Sequence, residues 1–191
     1  MKSIRQFIGL ATATLAMAAC QSNTYYIKGE AKEMGNGTKL YMTAVTDDTQ
    51  PIDSMVVIDG RFTLTGTADT AMFCKLYSAS SPEVSVTFFL EPGNIYIELA
   101  QQLSSLTGKS RSLSRVSGTK VNNEWQALND TVAKYDRLLR GLMKSDSIEP
   151  RKLYCQTDSI YGTLNRRINE AALRNRDNAM GRFIASHHMK E

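Results

Sequence analysis

Near Lys120 the apolar side chains of this chain change their spacing from every second residue to every third or fourth. Few architectures accommodate that switch. A period of two is the mark of strands with one buried face, and a period near 3.6 is that of amphipathic helices. From Tyr25 to about Gly118 the alternation is broken only by turn residues. In "DSMVVIDGRFTLTG", residues 53–66, Asp59-Gly60 stands between two β-rich runs. Asp-Gly is a strong two-residue hairpin signal, because a type I′ turn needs positive φ at both central residues. Beyond it Phe62 and Leu64 are expected to face inward, with Arg61, Thr63 and Thr65 outward. In "FFLEPGNIYIEL", residues 88–99, Pro92-Gly93 suits the centre of a type II turn. Ile95, Ile97 and Leu99 then alternate with Asn94, Tyr96 and Glu98. Further strands fit residues 25–31, 38–43, 72–78 and 84–90. The spacing predicts a mainly β domain, an antiparallel β-sandwich of about seven or eight strands.

After Lys120, Val121, Trp125, Leu128, Val132, Tyr135, Leu139 and Leu142 form one stripe of a long helix. The stripe reads as core rather than as a ligand-binding surface. "KSDSIEP" interrupts it, and Pro150 is acceptable in the first turn of a second helix carrying Leu153, Ile160, Leu164, Ile168 and Ala171. "RDNAMGRFIAS" begins a short third helix, with Asp177 or Asn178 as its cap. The two long helices are expected to pack as an antiparallel hairpin.

The first twenty residues bear on location. Lys2 and Arg5 form a basic head, and an apolar run from Phe7 to Ala19 ends in small side chains. The run is shorter than the about 20 apolar residues a membrane-spanning helix requires, and its layout is that of a secretory signal. Met17-Ala18-Ala19-Cys20 fits a lipobox, in which the Cys20 thiol takes a diacylglyceryl group and becomes the new N-terminus. Ordinary secretion with an incidental cysteine is the alternative. Residues 1–19 are thus expected to be a lipoprotein signal peptide and 20–24 an anchor linker, followed by a β domain at 25–118 and a helical extension at 119–191. Gln21, Ser22 and Asn23 include no acidic residue, which favours outer-membrane retention on the periplasmic face.

Removing the signal changes the balance of 23 basic and 19 acidic residues to 21 against 19. A nearly neutral domain has no electrostatic footprint for nucleic acid. Two cysteines remain, Cys74 and Cys155, without a C-x-x-C spacing. Cys74 reads as a core residue of a strand and Cys155 as a helix residue. In an oxidising envelope they could instead pair as a Cys74–Cys155 disulfide.

No catalytic constellation is apparent. His187 and His188 are adjacent, so on a helix their rings diverge by about 100°, and they read as tail. "TGKS", residues 107–110, lacks the earlier glycine of a phosphate loop, since position 103 is Leu. Its surroundings read as a polar hairpin loop. Asp47, Asp48, Asp53 and Glu91 sit in turns, where capping of backbone amides is their ordinary role. Neither a cofactor nor a metal site is indicated.

"YYIKGEA", "DSMVVIDGRFTLTG", "FFLEPGNIYIEL" and "VSGTKVNNEWQAL", in that order, resemble the domain-of-unknown-function 4369 family. The resemblance covers residues 25–130, and "NRDNAMGRFIA" is similar to the family's Asn-x-x-Asn-x-x-Gly segment. It implies an envelope lipoprotein whose β domain and helical segment commonly precede a thioredoxin-like domain. These residues contain no C-x-x-C, so no catalytic residue carries over. The chain reads as a stand-alone or truncated N-terminal module. The expected function is a lipid-anchored, non-catalytic binding or accessory module, with a thioredoxin-like envelope protein as its partner. The alternatives are a β-sandwich capturing a peptide or glycan through an exposed aromatic such as Tyr96, and a thiol–disulfide oxidoreductase using Cys74 or Cys155.

Overall fold

The computed structural model describes residues 23–47, 49–103, 110–144 and 148–188. The expected signal peptide, Cys20, Asp48 and the glycine and lysine of "TGKS" lie outside the described residues.

Among the described residues, ten strands and three helices follow in chain order. The strands are β1 (Thr24–Glu30), β2 (Lys39–Ala44), β3 (Asp53–Val56), β4 (Arg61–Thr67) and β5 (Met72–Ser78), then β6 (Ser81–Leu90), β7 (Gly93–Glu98), β8 (Gln101–Leu103), β9 (Ser110–Ser112) and β10 (Arg115–Ser117). The helices are α1 (Lys120–Met143), α2 (Pro150–Arg174) and α3 (Ala179–His188). One four-stranded sheet has the order β10-β7-β1-β4 and the other β3-β2-β5-β6, while β8 and β9 form a separate ribbon. Alternate residues build the core: Ile27, Phe62, Ile95 and Ile97 from the first sheet, and Leu40, Met42, Leu76 and Phe88 from the second. The architecture is mainly β with α, as the spacing predicts.

Two expectations about the sheets need correction. The main sheets are not wholly antiparallel, because β1 and β7 pair in parallel from Tyr25↔Gly93 to Glu30↔Glu98. Parallel neighbours need a long crossover, and the five strands between β1 and β7 supply it. Asp59-Gly60 does make a two-residue turn, with φ 50° and 69°. The Ile58 and Arg61 amides donate to each other's carbonyls across it, at 2.9 and 3.0 Å. The runs on either side do not continue as a hairpin, however. β3 pairs with β2 in one sheet and β4 with β1 in the other, so the turn is a corner between the two layers. Burial drives the divergence: Met55 and Phe62 both face the core, but from opposite sheets. Phe62 lies across from Gly29. A Cβ on Gly29 would stand 2.0 Å from the Phe62 ring, so the glycine makes room for the aromatic.

The start of α1 closes two sheet edges. An exposed edge strand offers unpaired backbone groups to other chains, and β6 is the edge of its sheet. The Asn122 side chain pairs with Phe89 like a further strand, its Oδ1 accepting from the Phe89 amide and its Nδ2 donating to the Phe89 carbonyl, both at 2.8 Å. Trp125 Nε1 donates to the Thr87 carbonyl at 3.0 Å, and the Ser112 hydroxyl to that of Ser85 at 2.8 Å. Three alternate carbonyls of the edge are thereby satisfied. On the other sheet, the Val116 amide of edge strand β10 donates to Gln126 Oε1 at 2.8 Å.

α1 and α2 pack antiparallel, and Thr119 caps α1 by accepting from the Asn122 amide. The expected core stripe is well buried beside the sheets and again at Leu139, but not along its whole length. Val121, Trp125 and Leu128 are enclosed, whereas Val132 is 38 % exposed and Leu142 only half-buried. Asn178, rather than Asp177, caps α3, accepting from the Met180 and Gly181 amides at 2.9 and 3.2 Å. His187 and His188 close α3 and are not a tail. The apolar stripe that docks Phe183 carries the helix on, and the His187 ring lies 4.2 Å from that of Phe183.

Candidate functional site

The outer face of the first sheet bears an open cleft of about 570 Å³ beside α1. Strand registers arrange its side chains in rows. Arg61, Glu30, Glu98 and Arg115 form the first row across β4, β1, β7 and β10. Thr63, Lys28, Tyr96 and Ser117 form the second. In the third, Thr65, Tyr26 and Asn94 lie just beyond the cleft. Tyr26 and Tyr96 are 46 % and 47 % exposed, a large aromatic surface left to solvent on a face that no helix covers fully. Asn123 and Gln126 of α1 form one wall.

Charges in the cleft are balanced. Lys32 pairs with Glu30 at 2.7 Å, and its hydrogen bond holds the Glu30 carboxyl below its ordinary value. Arg115 grips Asp130 through two bonds of 3.1 and 2.7 Å. Burial pushes the Asp130 carboxyl up, but the bonds from Arg115 and Gln126 more than reverse that and leave it lowered. Such fork-to-carboxylate pairs fix geometry as well as charge. They hold the first row and the wall of α1 in a set position.

Of the residues singled out in the sequence, only Tyr96 belongs to this cleft. Lys28, Glu30, Arg61 and Arg115 join it through register, with Tyr26 just beyond. Alternation alone could place Tyr26, Lys28 and Glu30 on one face of β1, but not beside Tyr96. Asp47 accepts from the Thr49 amide at 3.1 Å, as expected of a turn residue, whereas Asp53 lies in β3 opposite Met42 rather than in a turn and accepts from the Ser54 amide at 2.7 Å. Glu91 is half-buried below the start of α1. Burial raises its pKa, while the Thr119 hydroxyl and Val121 amide pull it back. Among the described residues no cluster of three His, Cys, Asp or Glu groups is placed to hold a metal ion.

Cys74 is fully buried in β5, Cys155 is exposed on α2, and both are free thiols. Burial pushes the Cys74 thiol up to about 12, only partly offset by the Leu90 amide. The thiolate is the reactive species, so Cys74 is chemically quiet at neutral pH. Maleimide labelling of the native chain at pH 8, mapped by mass spectrometry, is expected to modify Cys155 and leave Cys74 untouched until denaturant is added. Rapid native labelling of Cys74 would refute that environment.

A family model described as a domain of unknown function (DUF4369) matches residues 25–125. That span takes in every strand of the two main sheets and ends at Trp125 of α1. No curated protein matches the chain.

Proposed function

The chain belongs to the DUF4369 family, and on that premise we propose that it is a lipid-anchored, non-catalytic accessory module of the bacterial cell envelope. Its partner in this reading is a thioredoxin-like envelope protein, as the family context implies. The observation that carries it is the free half of the helical hairpin. α1 enters beside Gly93, whose register partner is Tyr25. By Asp130 it has reached Arg115, at the opposite end of the sheet. Its last thirteen residues run on for about 20 Å at 1.5 Å per residue. Cys20 is only four residues from Thr24, at most about 14 Å of chain, so the expected anchor and the hairpin tip lie at opposite ends. The tip is thus directed away from the anchoring membrane.

The surface there is apolar with a basic rim. Leu138, Met143 and Tyr154 are 47 %, 67 % and 73 % exposed. A groove of about 670 Å³ runs between the helices past Leu138, Leu142 and Ile160. Arg137 and Lys152 border it. Residues 119–191 carry thirteen basic and nine acidic side chains, whereas residues 25–118 carry eight and ten. Like charge disfavours tip-to-tip pairing of two copies and suits a partner whose apolar patch has an acidic rim. A photo-cross-linker at Leu138 in the living cell, with thiols trapped at lysis, tests the reading. A thioredoxin-like envelope protein is the expected conjugate, lost when Arg137 and Lys152 are both changed to Glu. Absence of any conjugate from the tip, or one unaffected by the charge reversal, would overturn it.

A further inference from the structure

We infer that the outer face of the β10-β7-β1-β4 sheet is a binding platform for a neutral oligosaccharide, with Tyr96 and Tyr26 as its stacking surfaces. The two tyrosines occupy adjacent strands and are offset by two residues, because Tyr26 pairs with Asn94 while Tyr96 pairs with Lys28. With strands about 4.8 Å apart and a rise of about 3.3 Å per residue, that diagonal is about 8 Å, far enough for each ring to present its own face. Nearly half of each is exposed, among the polar side chains of the neighbouring strands. A sugar ring offers both surfaces such a platform needs: a C–H face to lie on the phenol, and hydroxyls at its rim that donate and accept.

The remaining side chains match that rim. Thr63, Thr65, Ser117 and Asn94 supply neutral donors and acceptors in the rows that contain the tyrosines, and Lys28 beside Tyr96 is the one cation among them. The first row reads Arg61, Glu30, Glu98, Arg115, so cations stand at its ends and carboxylates at its centre. A polyanion would meet Glu30 and Glu98 in the middle of its path, which disfavours acidic polymers. A peptide that adds as a further strand requires an open edge. At the β10 edge, beside α1, the Val116 amide is already bonded to Gln126, which blocks that route there. Recognition there uses the face of the sheet and therefore side chains, the surface suited to sugars. The platform is separate from the hairpin tip and does not depend on what the tip binds.

Calorimetric titration of the full chain with three probes tests the inference: hexasaccharides of β-linked glucose and of β-linked N-acetylglucosamine, both neutral, and hexagalacturonate, which is acidic. At least one neutral probe is expected to bind, with a Kd insensitive to salt because no net charge is paired. Tyr96→Ala and Tyr26→Ala are each expected to raise that Kd by about tenfold, and Tyr96→Phe to leave it unchanged, since the ring face does the stacking. Both tyrosines are surface residues, so the unfolding midpoint serves as the control for folding. Failure of both neutral probes to bind at millimolar concentration would overturn the inference. So would tighter binding of hexagalacturonate, or neutral binding that survives both alanine variants.

Discussion

Asn122→Ala is expected to lower the unfolding free energy by about 3 kcal/mol, although it removes one small polar side chain near the surface of a helix. Asn122 is fully buried. Its amide joins the Phe89 amide and carbonyl, and Nδ2 also reaches the Thr119 hydroxyl at 2.8 Å. Alanine would leave two backbone groups of β6 in a dry site with no partner. Each such orphan costs about 1–3 kcal/mol, more than the hydrogen bond itself contributes. Denaturant unfolding measures the loss. Trp125 is the chain's single tryptophan and sits one turn from Asn122, with its ring edge-on to Phe89 at 5.7 Å. Its fluorescence should therefore shift to longer wavelength if the start of α1 lifts from the sheet. A cost below about 1 kcal/mol would mean that water or a rearranged side chain satisfies Phe89, and the edge-closing role would have to be abandoned.

Gly181→Ala is expected to cost about 3 kcal/mol as well, through backbone overlap rather than lost bonding. A Cβ at Gly181 would stand 2.1 Å from the Asn175 carbonyl oxygen and 2.4 Å from its carbon. Backbone cannot swing aside as a long side chain can. The Asn175-x-x-Asn178-x-x-Gly181 segment explains the tight approach. Asn175 is buried at the end of α2, bonded to Glu124 of α1 and to the Ala171 carbonyl. Asn178 donates to Asn175 Oδ1 at 2.6 Å while capping α3. The three residues fold the chain back so that Phe183 lands 4.2 Å from Phe73 and 5.9 Å from Trp125. The variant is expected to release α3 first. Hydrogen exchange should then show lost protection in α3 before any loss in β5 or β6. Unchanged protection throughout α3 would show that the turn accommodates a methyl group.

These two variants mark where reading the chain alone succeeded and where it stopped. The segments around Asn122 and Asn175–Gly181 were recognisable as family motifs, yet their purpose was not. Asn122 looks like an ordinary residue in the first turn of a helix until Phe89, thirty-three positions earlier, is placed beside it. Tyr96 was legible as an exposed aromatic because Ile95 and Ile97 alternate around it. Tyr26 was equally visible in its own strand, but that it shares a platform with Tyr96 follows only from the parallel register of β1 and β7. In the same way, the stripe along α1 predicts a helix correctly but not how much of it the sheets cover.

What the chain settled unaided were the features that depend on near neighbours: the strands of the two main sheets except β10, which lies in a stretch that reads as a loop, the helices, the positive φ of Asp59 and Gly60, and the proline that opens α2. Each arises from side-chain spacing or from backbone sterics within a few residues. Only the tertiary structure decided that β3 and β4 diverge at their turn, that β1 and β7 run parallel, and that α1 seals the edges of two sheets. Those outcomes rest on burial and hydrogen bonding between residues tens of positions apart. A period of two says which side chains face inward, but it carries no information about which strand lies alongside.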